Sequence, residues 1–283
     1  GDIGVKNTPI LPDPENPDSC DYLILESTYG GRFHEDRTDR IRRLGDILTR
    51  ALTDGGKVFI PAFALGRTQE LIYEMDRLFS DRKFKEDFPM LHNGDKIPVF
   101  VDSPLGVQIT EIYSSLSSFW DREACRISYQ GDHPIDFDHL YEVKGYRDHI
   151  RLSDISGPAI IVAGSGMCTG GRIVDLLEKG LDVPENDIFF VGYQSKGTTG
   201  RDIIKYGKRK NGYAYINGSK VFIKAGVHNL SGYSAHADQK GLVDWVDSMP
   251  EKPSIIKLVH GEDQARQKLA DVLESKGYDV IHV

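Results

Sequence analysis

A chain of 283 residues with 39% hydrophobic content is long enough for one large or two ordinary domains with a full core, and its formal net charge of −8 excludes a protein that grips nucleic acid over its whole surface. No run approaches the roughly 18 apolar residues of a membrane span, and no signal peptide is visible, so no membrane partner is expected. Three widely separated cysteines, Cys20, Cys125 and Cys168, argue against a disulfide framework and for a reducing compartment, the cytoplasm. A phosphate-bearing substrate must then be met by a local basic cleft or by metal.

The chain opens on Gly1-Asp2-Ile3-Gly4, a carboxylate among glycines, followed by a loop with Pro9, Pro12, Pro14 and Pro17. Tyr22-Leu23-Ile24-Leu25 reads as a strand that ends in Glu26-Ser27-Thr28-Tyr29-Gly30. The spacing of Ile41, Leu44, Ile47, Leu48, Ala51 and Leu52 predicts an amphipathic helix over 36–53, stopped by Gly55-Gly56. Arg37, Arg40, Arg42, Arg43 and Arg50 lie on or near its outer face. They read as a solvated face, with an RNA-facing strip as the competing reading.

Lys57-Val58-Phe59-Ile60 is the next strand, 61–67 its turn, and 68–79 a helix with Leu71, Ile72, Met75 and Leu78 inward. Arg67 closes that turn, either facing a substrate or held by a cap or a bridge to Glu70. A strand over 97–101 is followed by Asp102-Ser103-Pro104 and a helix. Residues 120–150 are polar and give no clear pattern; His133, His139 and His149 there lack a ligand-like frame and read as surface histidines.

Ala159-Ile160-Ile161-Val162-Ala163 is a strand of fully buried type, and the glycine-rich turn Ser165–Gly171 leads into a helix. Such a turn exposes backbone N–H groups at a helix N-terminus, which suits a phosphate, although many are simply tight turns. Ile188-Phe189-Phe190-Val191 and the turn with Gln194 and Lys196 repeat the scheme. Val221, Phe222, Ile223 and Val227 read as a strand ahead of His236. The turn holding His236 leads to a helix over 239–248. Ile255-Ile256-Lys257-Leu258-Val259 is a buried strand, with His260-Gly261-Glu262 as its turn. Two histidines at the ends of consecutive strands can face one cleft, so Asp2, Glu26, His236 and His260 are read as one site. Each alone has an ordinary reading as a solvated charge, a cap or a structural histidine.

Alternating strands and helices joined by short turns imply an α/β fold with a three-layer, mostly parallel sheet over 30–215. Residues 1–29 and 216–283 flank it, the layout expected of a domain inserted into another.

Four motifs carry a resemblance: Gly1-Asp2-Ile3-Gly4, Glu26-Ser27-Thr28-Tyr29-Gly30, Ser234-Ala235-His236-Ala237-Asp238 and Val259-His260-Gly261-Glu262. In order and spacing they resemble the later motifs of the β-CASP metallo-β-lactamase nucleases. Phe63-Ala64-Leu65-Gly66-Arg67-Thr68-Gln69-Glu70, Ser165-Gly166-Met167-Cys168-Thr169-Gly170-Gly171 and Gly192-Tyr193-Gln194 look like segments of the β-CASP domain. The resemblance covers essentially the whole chain. It implies part of a metallo-β-lactamase αββα fold over 1–29 and 216–283, with the β-CASP domain inserted at 30–215.

The resemblance also implies roles. Asp2 matches the aspartate that bridges two zinc ions, His260 a ligand of the second zinc, His236 a histidine beside the scissile phosphate, and Glu26 the carboxylate that orients it. Phosphodiester hydrolysis needs an activated water, a neutraliser of developing charge and a proton source; two zinc ions supply the first two and a histidine titrating near neutrality the third. Arg67, Ser165, Gly166, Thr169, Gly170, Gln194, Lys196 and Arg201 are the expected RNA-binding residues, at turns after predicted strands.

The family's His-x-His-x-Asp-His motif precedes the bridging aspartate, and no His-x-His occurs here. The chain therefore resembles the C-terminal part of the family. A zinc-dependent ribonuclease acting on single-stranded RNA is the expected function of the full-length protein. Histidine at the position of His260 resembles the RNA-directed branch. The 283 residues alone are expected to bind no stoichiometric zinc and to be inactive. A non-catalytic RNA-binding or scaffolding relative is the alternative. An uncovered sheet face in the flanking segments should promote self-association, and a homodimer is left open.

Overall fold

The computed structural model describes residues 2–35, 39–92 and 97–282. The expected helix start at 36–38, with Arg37, lies outside them. In chain order the elements are β1 (Tyr22–Glu26), α1 (Arg40–Ala51), β2 (Lys57–Pro61), α2 (Arg67–Ser80), β3 (Val99–Asp102), α3 (Pro104–Ser115), α4 (Arg122–Tyr129), β4 (Leu140–Glu142) and α5 (Tyr146–Ser153). They continue as β5 (Ala159–Ala163), α6 (Arg172–Gly180), β6 (Asp187–Phe190), α7 (Thr199–Tyr206), β7 (Tyr213–Ile216), β8 (Ser219–Phe222), β9 (Gly226–Asn229), α8 (Gln239–Asp247), β10 (Ile255–Val259), α9 (Asp263–Ser275) and β11 (Val280–His282). None of the described helices is long and apolar enough to cross a membrane.

Two compact units result, one of residues 36–233 and one of 1–35 with 234–283. The larger unit is built on a parallel sheet in the order β4-β3-β5-β2-β6-β9. Strand side chains alternate between faces, and the alternation makes two cores. Val58, Ile60, Ile160 and Val162 pack with Leu44 and Leu48 of α1 and Leu71 and Met75 of α2. Phe59, Ile161, Ile188 and Phe190 pack on the opposite face with Ile173 and Leu177 of α6 and Ile203 of α7. The central strand β5 is buried at every position, as its unbroken apolar run requires. This is the three-layer α/β/α arrangement expected from the alternation of patterns.

The region 120–150 proves ordered, as α4, β4 and α5. His149 in it is not a surface residue: it is 1% exposed. Its Nδ1 stands 2.6 Å from Asp102 Oδ2, and Arg172 Nη1 donates to Asp102 Oδ1 at 2.8 Å. A buried imidazole is tolerated because the carboxylate at the end of β3 partners it. The single strand expected from Val221 to Val227 is two. β8 pairs with β7 in an antiparallel hairpin, whereas β9 pairs with β6 at the edge of the large sheet. Both lie in the larger unit.

The smaller unit holds a parallel sheet in the order β1-β10-β11. Leu23, Leu25, Ile256 and Leu258 cover one face together with Leu242 and Val246 of α8 and Leu269 and Leu273 of α9. On the other face Tyr22, Ile24 and Ile281 are 68%, 63% and 43% exposed.

Candidate active site

Register brings the site residues of the smaller unit together. Glu26 ends β1 opposite Val259 of β10, so His260 follows directly on the neighbouring strand. Its backbone takes a positive φ of 54°, and the next residue is Gly261, where a Cβ would come within 2.4 Å of Ser27 Oγ. Ser27 itself donates to the Val259 carbonyl at 2.9 Å. The third segment, ahead of α8, carries His236. It is tied down by the Ala237 N–H bonding Ile3 O at 3.0 Å and by a bridge between Tyr29 and Asp238. Asp238 then caps α8 through Gly241 N–H at 2.8 Å and also accepts the His34 N–H at 2.9 Å. His236 therefore sits in a tied loop, and not at the end of a strand consecutive with that of His260.

Within this frame His236 Nδ1 lies 2.8 Å from Glu26 Oε2 and 3.8 Å from Asp2 Oδ2. His260 Nδ1 lies 3.6 Å from Asp2 Oδ1. The two imidazoles face each other with centroids 5.3 Å apart and planes at 33°. The Thr28 hydroxyl donates to the His260 carbonyl at 3.0 Å and stands 3.2 Å from His260 Nδ1 and 3.4 Å from His236 Nδ1. Sequence reasoning quoted Thr28 within a motif but gave it no role; its signal was its place two residues beyond the strand-end glutamate.

Glu26 is 1% exposed, and burial alone would push its carboxyl up. The hydrogen bond and charge of His236, helped by Thr28 and by the Ile3 N–H at 3.0 Å, outweigh burial and hold it below its ordinary value. An ionised Glu26 accepts a proton-bearing Nδ1, which assigns the His236 tautomer and leaves Nε2 as its proton-exchanging atom. Asp2 and His260 are both exposed at the side chain, at 57% and 59%. Ligand atoms of Asp2, His236 and His260 lie within 4.8 Å of one another, the one such cluster among the described residues. Carboxylate oxygen and imidazole nitrogen suit zinc, so these residues fit as part of a donor set. The Nδ1–Glu26 bond leaves His236 Nε2 available, either for a proton or as a third ligand beside Asp2 and His260.

The expected RNA-binding residues lie in the larger unit, at the C-terminal ends of the adjacent strands β5, β2 and β6. Ser165, Gly166, Thr169 and Gly170 form a tightly self-bonded turn. Ser165 N–H bonds Gly170 O and Cys168 N–H bonds Ser165 O, each at 3.1 Å, while Thr169 N–H bonds Ser165 Oγ at 3.1 Å. These three donors are engaged within the turn itself. Burial pushes the Cys168 thiol beneath them up to about 12, which makes it chemically inert.

Gln194 is 3% exposed and donates Nε2 to Gly166 O at 2.8 Å, holding that turn. Arg201, half-buried, points Nη1 at Gln194 O at 3.5 Å, and Lys196 is exposed. Arg67 is 4% exposed and pairs with Glu70 at 2.5 Å; its Nη2 has no partner among the described residues. The bridge to Glu70, one of the two readings of Arg67, is therefore present.

Two family models match the chain. One described as Beta-Casp domain covers residues 68–203, and one described as Zn-dependent metallo-hydrolase RNA specificity domain covers 220–283. Ribonuclease TTHA0252 of Thermus thermophilus is 34% identical over 280 residues, which is 99% of this chain and 60% of that protein. Transcription termination factor FttA of Pyrococcus horikoshii is 31% identical over 90% of this chain and 38% of its own length. Cleavage and polyadenylation specificity factor 73 of Drosophila melanogaster is 32% identical over 90% of this chain and 34% of its own length. The chain thus spans between about a third and three fifths of these relatives. With the parallel three-layer unit and the Asp2–Glu26–His236–His260 cluster in place, the chain belongs to the β-CASP metallo-β-lactamase family.

Proposed function

We propose that the protein carrying this chain is a zinc-dependent ribonuclease that hydrolyses phosphodiester bonds in single-stranded RNA. One observation carries the reading: His236 Nδ1 lies 2.8 Å from the buried Glu26 carboxylate, directly beside Asp2 and His260. The names of the relatives, a ribonuclease among them, support it.

Glu26 fixes the His236 ring and steadies its protonated form, so Nε2 can hand a proton to the leaving oxygen of a phosphodiester. Asp2 and His260 would hold zinc, with further ligands supplied from outside this cluster. Bound zinc supplies Lewis-acid chemistry: it lowers the pKa of water and neutralises charge that develops on phosphate. Thr28 restrains the His260 backbone through its hydroxyl. Lys196 and Arg201 are the residues we assign to contact the RNA backbone; Ser165, Gly166, Thr169, Gly170 and Gln194 shape the turn beside them, and Arg67 anchors the start of α2.

RNA and DNA oligonucleotides of one sequence, incubated with the zinc-loaded full-length protein, test the proposal. Rapid cleavage of RNA and poor cleavage of DNA are expected. Equal turnover of both would remove the preference for RNA over DNA, and binding without cleavage would favour a non-catalytic role.

A further inference from the structure

The β7–β8 hairpin breaks the rule for a half-buried antiparallel pair. Ala214, Ile216, Val221 and Ile223 face the core, so the alternate positions should be polar. Instead the outward positions are Tyr213, Tyr215, Lys220 and Phe222, with the three aromatics 40%, 61% and 45% exposed. Register places Tyr213 opposite Phe222 and Tyr215 opposite Lys220, so these side chains form one patch. The turn Asn217-Gly218, both at positive φ, closes the hairpin, and Asn217 donates to Glu178 at its tip.

Tyr206, at the end of α7, extends the patch. Its ring lies parallel to that of Tyr213, with centroids 6.5 Å apart and planes at 9°. Tyr215 meets Tyr213 edge-on at 5.7 Å. Cations are interleaved with the rings. Lys220 Nζ is 4.1 Å from the Tyr213 centroid and 5.2 Å from that of Phe222. Lys205 Nζ and Arg209 Cζ are each 5.0 Å from the Tyr206 centroid. Residues 205–224 contain Lys205, Lys208, Arg209, Lys210, Lys220 and Lys224 and no aspartate or glutamate, in a chain of net charge −8. Most of the segment lies outside both matched family models.

We infer that this hairpin is a docking platform for single-stranded RNA, separate from the Asp2–His260 cluster; the choice of RNA over DNA rests on the ribonuclease reading above. Exposed rings take unpaired bases on their faces whatever the sequence, and adjacent ammonium groups meet the phosphates. Tyr215, over whose ring no cation lies among the described residues, takes the first base. Lys220 is a flexible cation placed to move from the Tyr213 ring to a phosphate beside it. A protein partner fits less well, because protein interfaces are depleted in lysine. A duplex fits less well because its bases are already stacked.

The test is a binding titration of the 283-residue chain with a fluorescent oligouridylate in EDTA, so that affinity is read without cleavage. Tyr215→Ala should weaken binding about tenfold while Tyr215→Phe restores it. The triple variant Lys208→Ala, Arg209→Ala, Lys210→Ala, confined to an exposed turn, should lower the slope of log affinity against log salt by about 2, since each lost phosphate contact on a single strand removes about 0.7. Duplex RNA and polyglutamate should compete poorly. The inference is overturned if the wild type does not bind, if both variants keep wild-type affinity and slope, or if duplex or polyglutamate competes as well as the single strand. A protein that binds this way yet leaves RNA intact with zinc present would lose the ribonuclease reading and keep the platform.

Discussion

Glu26 shows how one carboxylate can be buried and still charged. Its two oxygens are divided between the Ile3 N–H and the His236 ring, so each accepts one directed bond. Glu26→Gln keeps the shape and removes the charge that steadies a protonated His236. The expected result is a cleavage rate lowered about tenfold or more, milder than loss of His236, with zinc content unchanged. A rate equal to wild type in a steady-state assay would show that Glu26 does not act through the imidazole. Gly261→Ala is expected to destabilise by about 1–3 kcal/mol in a thermal melt, because its Cβ would collide with Ser27 Oγ and the Ser27 carbonyl. The grouping of Asp2, Glu26, His236 and His260 was legible because each sits in a short motif of characteristic spacing. Thr28 and His149 were not. The contacts of Thr28 depend on β1 lying in register with β10, and His149 is buried only because Asp102, distant in sequence, returns to partner it.

At the scale of elements, the strands and helices with unbroken apolar runs or clear spacing were readable, and the short ones were not. α4 and α5 span a turn or two each, and β4 has three residues, so none carries enough periodic positions to announce itself. α2 holds a charged group with a stability consequence. Burial pushes the Asp76 carboxyl up to about 6 from an ordinary 3.8, the charges of Asp132 and Asp136 adding to it against Ser80 and Arg77. The folded state therefore binds this proton more tightly than the unfolded chain. Its contribution to stability is fully present below about pH 4 and is lost as pH rises through about 6. Asp76→Asn should melt like the wild type at pH 4 and a few degrees higher at pH 7. A difference in melting temperature that does not change with pH would contradict this assignment.

At the scale of the molecule, two features bear on how the 283 residues behave by themselves. The exposed face of the smaller sheet carries Tyr22, Ile24 and Ile281, and we expect it to promote association of the isolated chain. Ile24→Lys should shift sedimentation toward the monomer, and an unchanged profile would mean that this face is not the contact. Asp2 and His260 supply two ligands and His236 Nε2 at most a third, short of the set that two zinc ions need. Elemental analysis of the 283 residues should therefore find well below two zinc ions per chain, and no cleavage of RNA. The most direct test of the central claim, that His236 is the proton donor of a site whose zinc is held by other residues, is His236→Ala in the zinc-loaded full-length protein. Cleavage rate and zinc content are measured on one preparation. The account predicts a rate lower by about 10²–10⁴-fold with zinc retained; loss of zinc together with activity would make His236 a metal ligand and contradict it.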